Sequence, residues 1–153
     1  MRCVVQRTTG PARVTVAGDV TGEITAGLVV LAGFAPDDTE AELAWMARKL
    51  PRLRIFRDDE GRMNRALADV GGGILLVSQF TLYGDCRKGH RPSFVGSAPP
   101  DDARRLYERF AALLRAEWPD VGEGVFGAMM EVHLVNDGPV TLILEREAAS
   151  ADD

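Results

Sequence analysis

Three short stretches of this chain carry residue types that could do chemistry. The first is Ser78-Gln79-Phe80-Thr81-Leu82-Tyr83-Gly84-Asp85, where an apolar run turns polar. Polar side chains at the end of a buried strand are costly without partners, and strand ends opening onto a crevice are where α/β proteins hold ligands. Ser78 is not in a G-x-S-x-G elbow, and no His/Asp pair completes a nucleophilic triad around it. On residues alone, a ligand site and a strand that simply meets a loop both stay open. The second stretch, Arg87-Lys88-Gly89-His90-Arg91-Pro92-Ser93-Phe94, packs three fixed positive charges and a histidine into five residues. It reads either as a solvated turn or as a phosphate contact beside the site, with Phe94 as a stacking surface for a base. The third is Asn136-Asp137-Gly138-Pro139-Val140-Thr141. These are turn formers, yet Pro139 at the entry of a strand removes a ladder donor, and an X-Pro bond is cis in about 5–6% of cases. A cis Gly138-Pro139 gives a rigid surface with no side chain at the glycine.

Other chemistries find little support. Gly71-Gly72-Gly73 precedes a strand rather than a helix and lacks a following G-K-[ST], so it reads as a tight turn and not a phosphate loop. His90 and His133 belong to no H-x-x-x-H or H-E-x-x-H pattern, and Cys3 and Cys86 form no C-x-x-C, so neither a metal nor a disulfide framework is expected. No cofactor is expected either.

The elements that must hold these stretches follow from periodicity. Val4-Val5, Arg13 to Val16 and Gly27 to Phe34 are β-branched or apolar runs bounded by glycines. Thr39-x-x-Glu42 is a capping box, with Leu43, Met46, Ala47 and Leu50 at helical spacing and Pro51 as the stop. Ile74 to Leu82 suits a buried strand, and Asp101 to Glu117 an amphipathic helix with Ala103, Leu106, Tyr107, Phe110 and Leu114 as its stripe. Two closing strands, Ala128 to Val135 and Val140 to Glu145, flank the Gly138-Pro139 turn. The expected architecture is α/β: mixed, partly curled β-sheets with two main helices on one side.

The chain has 153 residues, 46% hydrophobic and 27% charged, which is the size and composition of one globular domain. We expect that domain over 1–147 and an acidic flexible tail over 148–153. No apolar run is long enough to span a bilayer, and the N-terminus lacks the features of a signal peptide, so a cytoplasmic protein without a membrane role is expected. Eighteen basic residues against twenty-three acidic ones give a net charge of −5. That balance argues against broad gripping of nucleic acid, DNA included, and leaves room for an enzyme that touches only the end of an RNA.

Taken in order, Ser78–Leu82 as S-Q-F-T-L and Asn136–Thr141 as N-x-G-P-x-T resemble the two signatures of the D-aminoacyl-tRNA deacylase family. The likeness covers nearly the whole chain, through Val5-Gln6-Arg7, Leu53-Arg54-Ile55-Phe56, Lys88-Gly89 with Arg91 to Phe94, and Phe126-Gly127-Ala128-x-Met130. The resemblance implies a three-layer β/β/α fold and a homodimer in which a cis Gly138-Pro139 of one subunit enters the other's active site. There it holds the substrate's α-amino group and excludes an L side chain, so that an alanine at 138 would push its methyl into the amino-group pocket. It further implies that Ser78, Gln79, Phe80 and Thr81 form the reaction side, mostly through backbone N–H groups, with the substrate's own 2′-hydroxyl assisting hydrolysis. Arg7 steadies the Gly-Pro loop, and Asn136, Phe126, Ala128 and Met130 complete substrate binding. The partner is the aminoacylated 3′ end of tRNA, and the reaction is hydrolysis of the D-aminoacyl ester, a chiral proofreading step in translation; the sequence leaves open whether mischarged glycyl-tRNA is also a substrate.

Two positions depart from the pattern. The loop Thr9-Gly10-Pro11 is one residue longer than usual, and Glu123-Gly124 stands where Thr-Gly is more common. Two rivals remain: a relaxed tRNA deacylase with a trans Gly-Pro bond, and a non-catalytic module that binds single strands through Arg87, Lys88 and Arg91. The 7% aromatic content is sparse for the latter.

Overall fold

The computed structural model describes residues 1–149. A mixed five-stranded sheet forms the middle layer. Its strands are β1 (Arg2–Thr8), β4 (Gly27–Gly33), β7 (Gly73–Ser78), β8 (Val121–Glu123) and β10 (Thr141–Glu145), in the order β10-β1-β4-β7-β8. β1 runs antiparallel to both β10 and β4, whereas β4, β7 and β8 are parallel.

Parallel strands buried on both faces read as unbroken apolar runs, and β4 and β7 behave that way. Leu28, Val30, Ala32, Ile74 and Leu76 face one core, built with α1 (Glu40–Lys49) and α3 (Pro100–Glu117). Val29, Leu75 and Val77 face a second, smaller core. A three-stranded sheet closes that side, with β2 (Ala12–Val16) between β3 (Asp19–Ile24) and β9 (Met130–His133), and it contributes Ala12, Val14 and Ile24. The layers are therefore β, β and α, with the two main helices on one side. Phe110 and Leu114 of α3 are fully buried, and Phe110 meets Phe34 edge-on at 6.2 Å. Each such side chain contributes roughly 1.5–3 kcal/mol of burial.

Local chemistry explains the helix ends. Thr39 and Glu42 form the expected capping box, while Pro51 does not end a helix at once: Leu50–Arg52 continue as one 3₁₀ turn. Leu67–Val70 forms a short helix, α2, and Gly71 caps it with φ +62 before the chain enters β7, so the triple glycine is a turn.

Several expected boundaries shift. The run from Ile74 to Leu82 is a strand only to Ser78, where its partner β4 runs out at the Ala32 pairing, and then coils into a 3₁₀ turn over Phe80–Tyr83. The closing strands are shorter than expected and do not pair with each other. β9 pairs with β2 and β10 with β1, so the Gly138-Pro139 segment crosses between sheets rather than turning a hairpin. β3 and the three short strands β5 (Phe56–Arg57), β6 (Met63–Arg65) and β8 were not foreseen, because Asp19-Val20-Thr21-Gly22-Glu23 carries no apolar alternation and the others are too short to show one. The expected tail over 148–153 falls, apart from residues 148 and 149, outside the described residues.

Candidate active site

β4, β7 and β8 run in parallel, so their C-terminal ends lie along one end of the sheet, the usual position for a ligand crevice. From there the chain leaves β7 at Ser78 and β8 just past Glu123. The Gln79 N–H donates to the Ala32 carbonyl at 2.7 Å, which pins the start of the turn. Inside the turn the Leu82 and Gly84 N–H groups donate back to the Gln79 and Thr81 carbonyls. The first N–H groups of any helical turn lack an internal acceptor. Among the described residues, the Phe80 and Thr81 N–H groups find none elsewhere in the chain. Two adjacent main-chain donors are thus left for an incoming oxygen.

Side chains border these donors. The Gln79 amide donates to the Thr81 hydroxyl. Phe80 is 56% exposed and meets Phe94 edge-on at 5.2 Å. On the β8 side, Val125 to Ala128 form a turn, closed by the Ala128 N–H on the Val125 carbonyl at 3.1 Å. Phe126 lies between the Tyr107 ring at 5.7 Å and the Arg104 guanidinium at 4.8 Å. Burial lifts the Tyr107 phenol above its ordinary range, so it stays a donor, directed at the Leu76 carbonyl at 3.4 Å. Met130 is half-buried against the second core. Ser78 to Thr81, Phe126 and Ala128 thus leave the same end of the sheet.

Gly138, Pro139, Arg7 and Asn136 lie at the other end. The Gly138-Pro139 peptide is cis, and both residues are exposed. Arg7 is buried beneath them at 2% exposure. Its Nε donates to the Asp137 carbonyl at 3.1 Å, its Nη1 to the Ile55 carbonyl at 2.7 Å, and its Nη2 pairs with the Asp137 carboxylate at 3.0 Å. The main chain adds the Arg7 N–H on Val140 and the Asp137 N–H on Arg7. Asn136 turns inward, accepting from the Val140 N–H at 2.8 Å and donating to the Thr141 hydroxyl at 2.7 Å. Asp137 and the Ile55 carbonyl were not foreseen: Asp137 fills the variable position of its motif, and a carbonyl contact leaves no sequence signal. Tyr107 and Arg104 were also missed, since Tyr107 sits on an apolar stripe where core packing is the default reading.

The strand register measures how far apart the two ends are. Ser78 aligns through Ala32 and Cys3 with Leu144, which is five residues from Pro139 and three strands away from β7. At about 3.3 Å per residue and about 4.8 Å per strand, the two loops lie roughly 20 Å apart within one chain.

Residues 4–145 match the family model described as D-Tyr-tRNA(Tyr) deacylase. The chain belongs to this deacylase family. It is 58% identical over 145 residues to the D-aminoacyl-tRNA deacylase of Thermus aquaticus, covering 95% of both chains. It is 59% identical over 146 residues to that of Chlorobaculum parvum, covering 95% of this chain and 97% of the other. Among solved structures it resembles one titled c-Myc DNA Unwinding Element Binding Protein, with TM-score 0.89, 42% identity and coverage of 97% and 100%. A probable eukaryotic D-amino acid tRNA deacylase shares the fold at TM-score 0.79 and 21% identity, with coverage of 94% and 97%.

Among the described residues no cluster of three or more His, Cys, Asp or Glu side chains could hold a metal ion. His133 instead faces the Thr15 hydroxyl at 3.1 Å on the three-stranded sheet, and His90 lies exposed in the loop after Asp85. Exhaustive treatment of this deacylase-family protein with a chelator is expected to leave its hydrolytic rate within about twofold, since among the described residues His90, His133, Cys3 and Cys86 share no donor set for a metal ion. Abolition by chelation and recovery with zinc alone would contradict that expectation.

Proposed function

We propose that this chain hydrolyses the ester bond of D-aminoacyl-tRNA, releasing free tRNA and the D-amino acid, and that it works as a homodimer. In this reading Gly138-Pro139 of one subunit enters the crevice formed by Ser78, Gln79, Phe80 and Thr81 of the other. The observation that carries it is the separation of the two signature loops. They cannot meet in one chain, whereas a second copy can bring its exposed Gly138-Pro139 to the free Phe80 and Thr81 N–H groups. Residues 1–147 act as one deacylase domain in this account.

The chemistry follows from what each loop offers. An aminoacyl ester is already activated, so positioning and oxyanion stabilisation suffice, and the Phe80 and Thr81 N–H groups supply the latter. The partner's Gly138-Pro139 holds the α-amino group, and with no side chain at 138 it tests only the arrangement around Cα. L-substrates are rejected by clash with a rigid wall, while D side chains of many sizes point away from it. Phe126, Ala128 and Met130 border the place of the terminal adenosine. Only the 3′ end needs to enter, which suits a net charge of −5. No helix among the described residues is long and apolar enough to cross a membrane, consistent with work in the cytoplasm beside translation.

Ser78 and Thr81 hydroxyls lie beside the reacting ester, yet neither has a general base in the turn, and a serine without one is a poor nucleophile. Ser78→Ala and Thr81→Ala are each expected to keep kcat within roughly tenfold, while a substrate lacking the terminal 2′-hydroxyl loses more than either variant. Trapping an acyl-enzyme on Ser78 or Thr81 by mass spectrometry would refute this.

The proposal as a whole is tested by incubating the protein with matched D- and L-aminoacyl-tRNA and following release of the amino acid. Deacylation of the D-substrate alone supports it, and equal rates on both would point to a deacylase without chiral selection in spite of the cis Gly138-Pro139 bond. Beside the exposed Lys88 and Arg91, the solved structure named for DNA binding supports the non-catalytic reading. Single-strand binding with neither ester cleaved would decide for that reading.

A further inference from the structure

The basic stretch after the reaction turn is built as a presented loop. Asp85 and Ser93 close it by exchanging main-chain hydrogen bonds of 2.7 and 2.9 Å. Within it Arg87 is already engaged, with Nε and Nη2 on the Asp85 carboxylate at 2.9 and 2.6 Å. Those bonds hold the Asp85 carboxyl down at about 2, so it stays ionised as the partner of Arg87. Lys88, His90 and Arg91 are left exposed at the tip, and among the described residues neither Lys88 nor Arg91 pairs with a carboxylate.

Two further observations separate this loop from an ordinary solvated turn. One is the contrast with the rest of the chain: three of its eighteen basic residues fall within five positions here, which leaves fifteen against twenty-three acidic ones. The other is attachment to the reaction side. Phe94 follows the loop directly and packs on Phe80, both with exposed ring surface, and an open groove of about 730 Å³ runs along Tyr83, Asp85, Arg87 and Ser93. Arg91 is three residues from Phe94, at most about 10 Å of chain.

We infer that Lys88 and Arg91 are a phosphate clamp for single-stranded RNA. They would hold the backbone of the nucleotides immediately before the terminal adenosine, so that tRNA is gripped only where it enters the site. The inference rests on the deacylase reading above. Lysine suits a phosphate as a point charge and arginine as a fork, and a clamp confined to one loop explains how an acidic protein handles tRNA at all. His90 sits between them, and Asp85 is the one carboxylate of the loop, already occupied by Arg87.

The test compares two substrates, D-aminoacyl-tRNA and D-aminoacyl-adenosine, in the wild type and in the double variant Lys88→Gln with Arg91→Gln. The variant is expected to raise KM for the tRNA roughly tenfold with kcat unchanged, and to lower the slope of log KM against log salt by about 1.4, as for two lost single-strand phosphate contacts. Hydrolysis of D-aminoacyl-adenosine is expected to stay unchanged. The charge-preserving Arg91→Lys is expected to keep the salt slope unchanged while KM for tRNA rises a few fold, since lysine retains the charge and loses the fork. In the double variant, equal losses on both substrates, or an unchanged salt slope, would overturn the clamp while leaving the deacylase reading intact. A wild type that cleaves neither substrate would overturn the deacylase reading itself, and the clamp with it.

Discussion

Replacing Gly138 by alanine is expected to lower kcat/KM on D-aminoacyl-tRNA by about 100-fold or more, which is about 2.7 kcal/mol of transition-state stabilisation. Gly138 has φ +127, a conformation that L side chains rarely adopt. An added Cβ would stand 2.8 Å from Val140 Cγ2, 2.9 Å from Arg7 Nη2 and 3.1 Å from the Val140 nitrogen. The resemblance suggested that this methyl would project into the amino-group pocket. The geometry gives a different cause: the methyl strikes its own chain. Arg7 cannot yield easily, because its guanidinium is buried and held by Asp137 and Ile55. The loop itself must move, and a wall displaced by even about 1 Å loses its alignment with the substrate. Gly138 is exposed and outside both cores, so thermal unfolding is expected to show a folded protein. A variant that keeps kcat/KM within about threefold would remove Gly138 from the screening role.

The second large effect is expected at Phe80, through its main chain. Phe80→Pro removes the N–H at the first position of the 3₁₀ turn, where proline's fixed φ is compatible with a helical start. Loss of one oxyanion donor costs roughly 100- to 1000-fold in kcat. Phe80→Ala, which deletes the ring and its contact with Phe94 but keeps the N–H, separates the two contributions. The proline variant is expected to fall at least tenfold further than the alanine variant. Equal kcat values for the two would show that the Phe80 N–H takes no part in hydrolysis.

Both predictions depend on features that the sequence discloses unevenly. The unbroken apolar runs of β4 and β7, the Thr39 and Glu42 capping box and the stripe on α3 were legible because burial and capping impose residue types directly. The motif Asn136 to Thr141 located the Gly-Pro loop, but its placement between two sheets was not legible: strands separated by a four-residue turn sequence look like a hairpin, and only the pairing of β9 with β2 and β10 with β1 denies it. Arg7 could be assigned to the loop by resemblance, while its three anchors could not, since two of them are carbonyl groups. The free N–H groups of Phe80 and Thr81 are likewise a property of where the strand stops and coils, which side-chain chemistry does not encode. The split of the site residues between opposite ends of the sheet follows from strand register, and register is set by pairing across the whole fold.

The claim that two chains build each active site is tested most directly by complementation. Gly138→Ala and Phe80→Pro chains, carrying different affinity tags, are co-expressed, and the mixed dimer is purified and compared with each parent on D-aminoacyl-tRNA. In the mixed dimer one crevice has an intact Phe80 turn and receives an intact Gly138-Pro139 from its partner, while the other carries both defects. With two symmetric sites per dimer, about half of the wild-type kcat is expected, although each parent dimer is nearly inactive. A mixed dimer no more active than its parents would contradict the shared site, because it would mean that both loops act within the same chain.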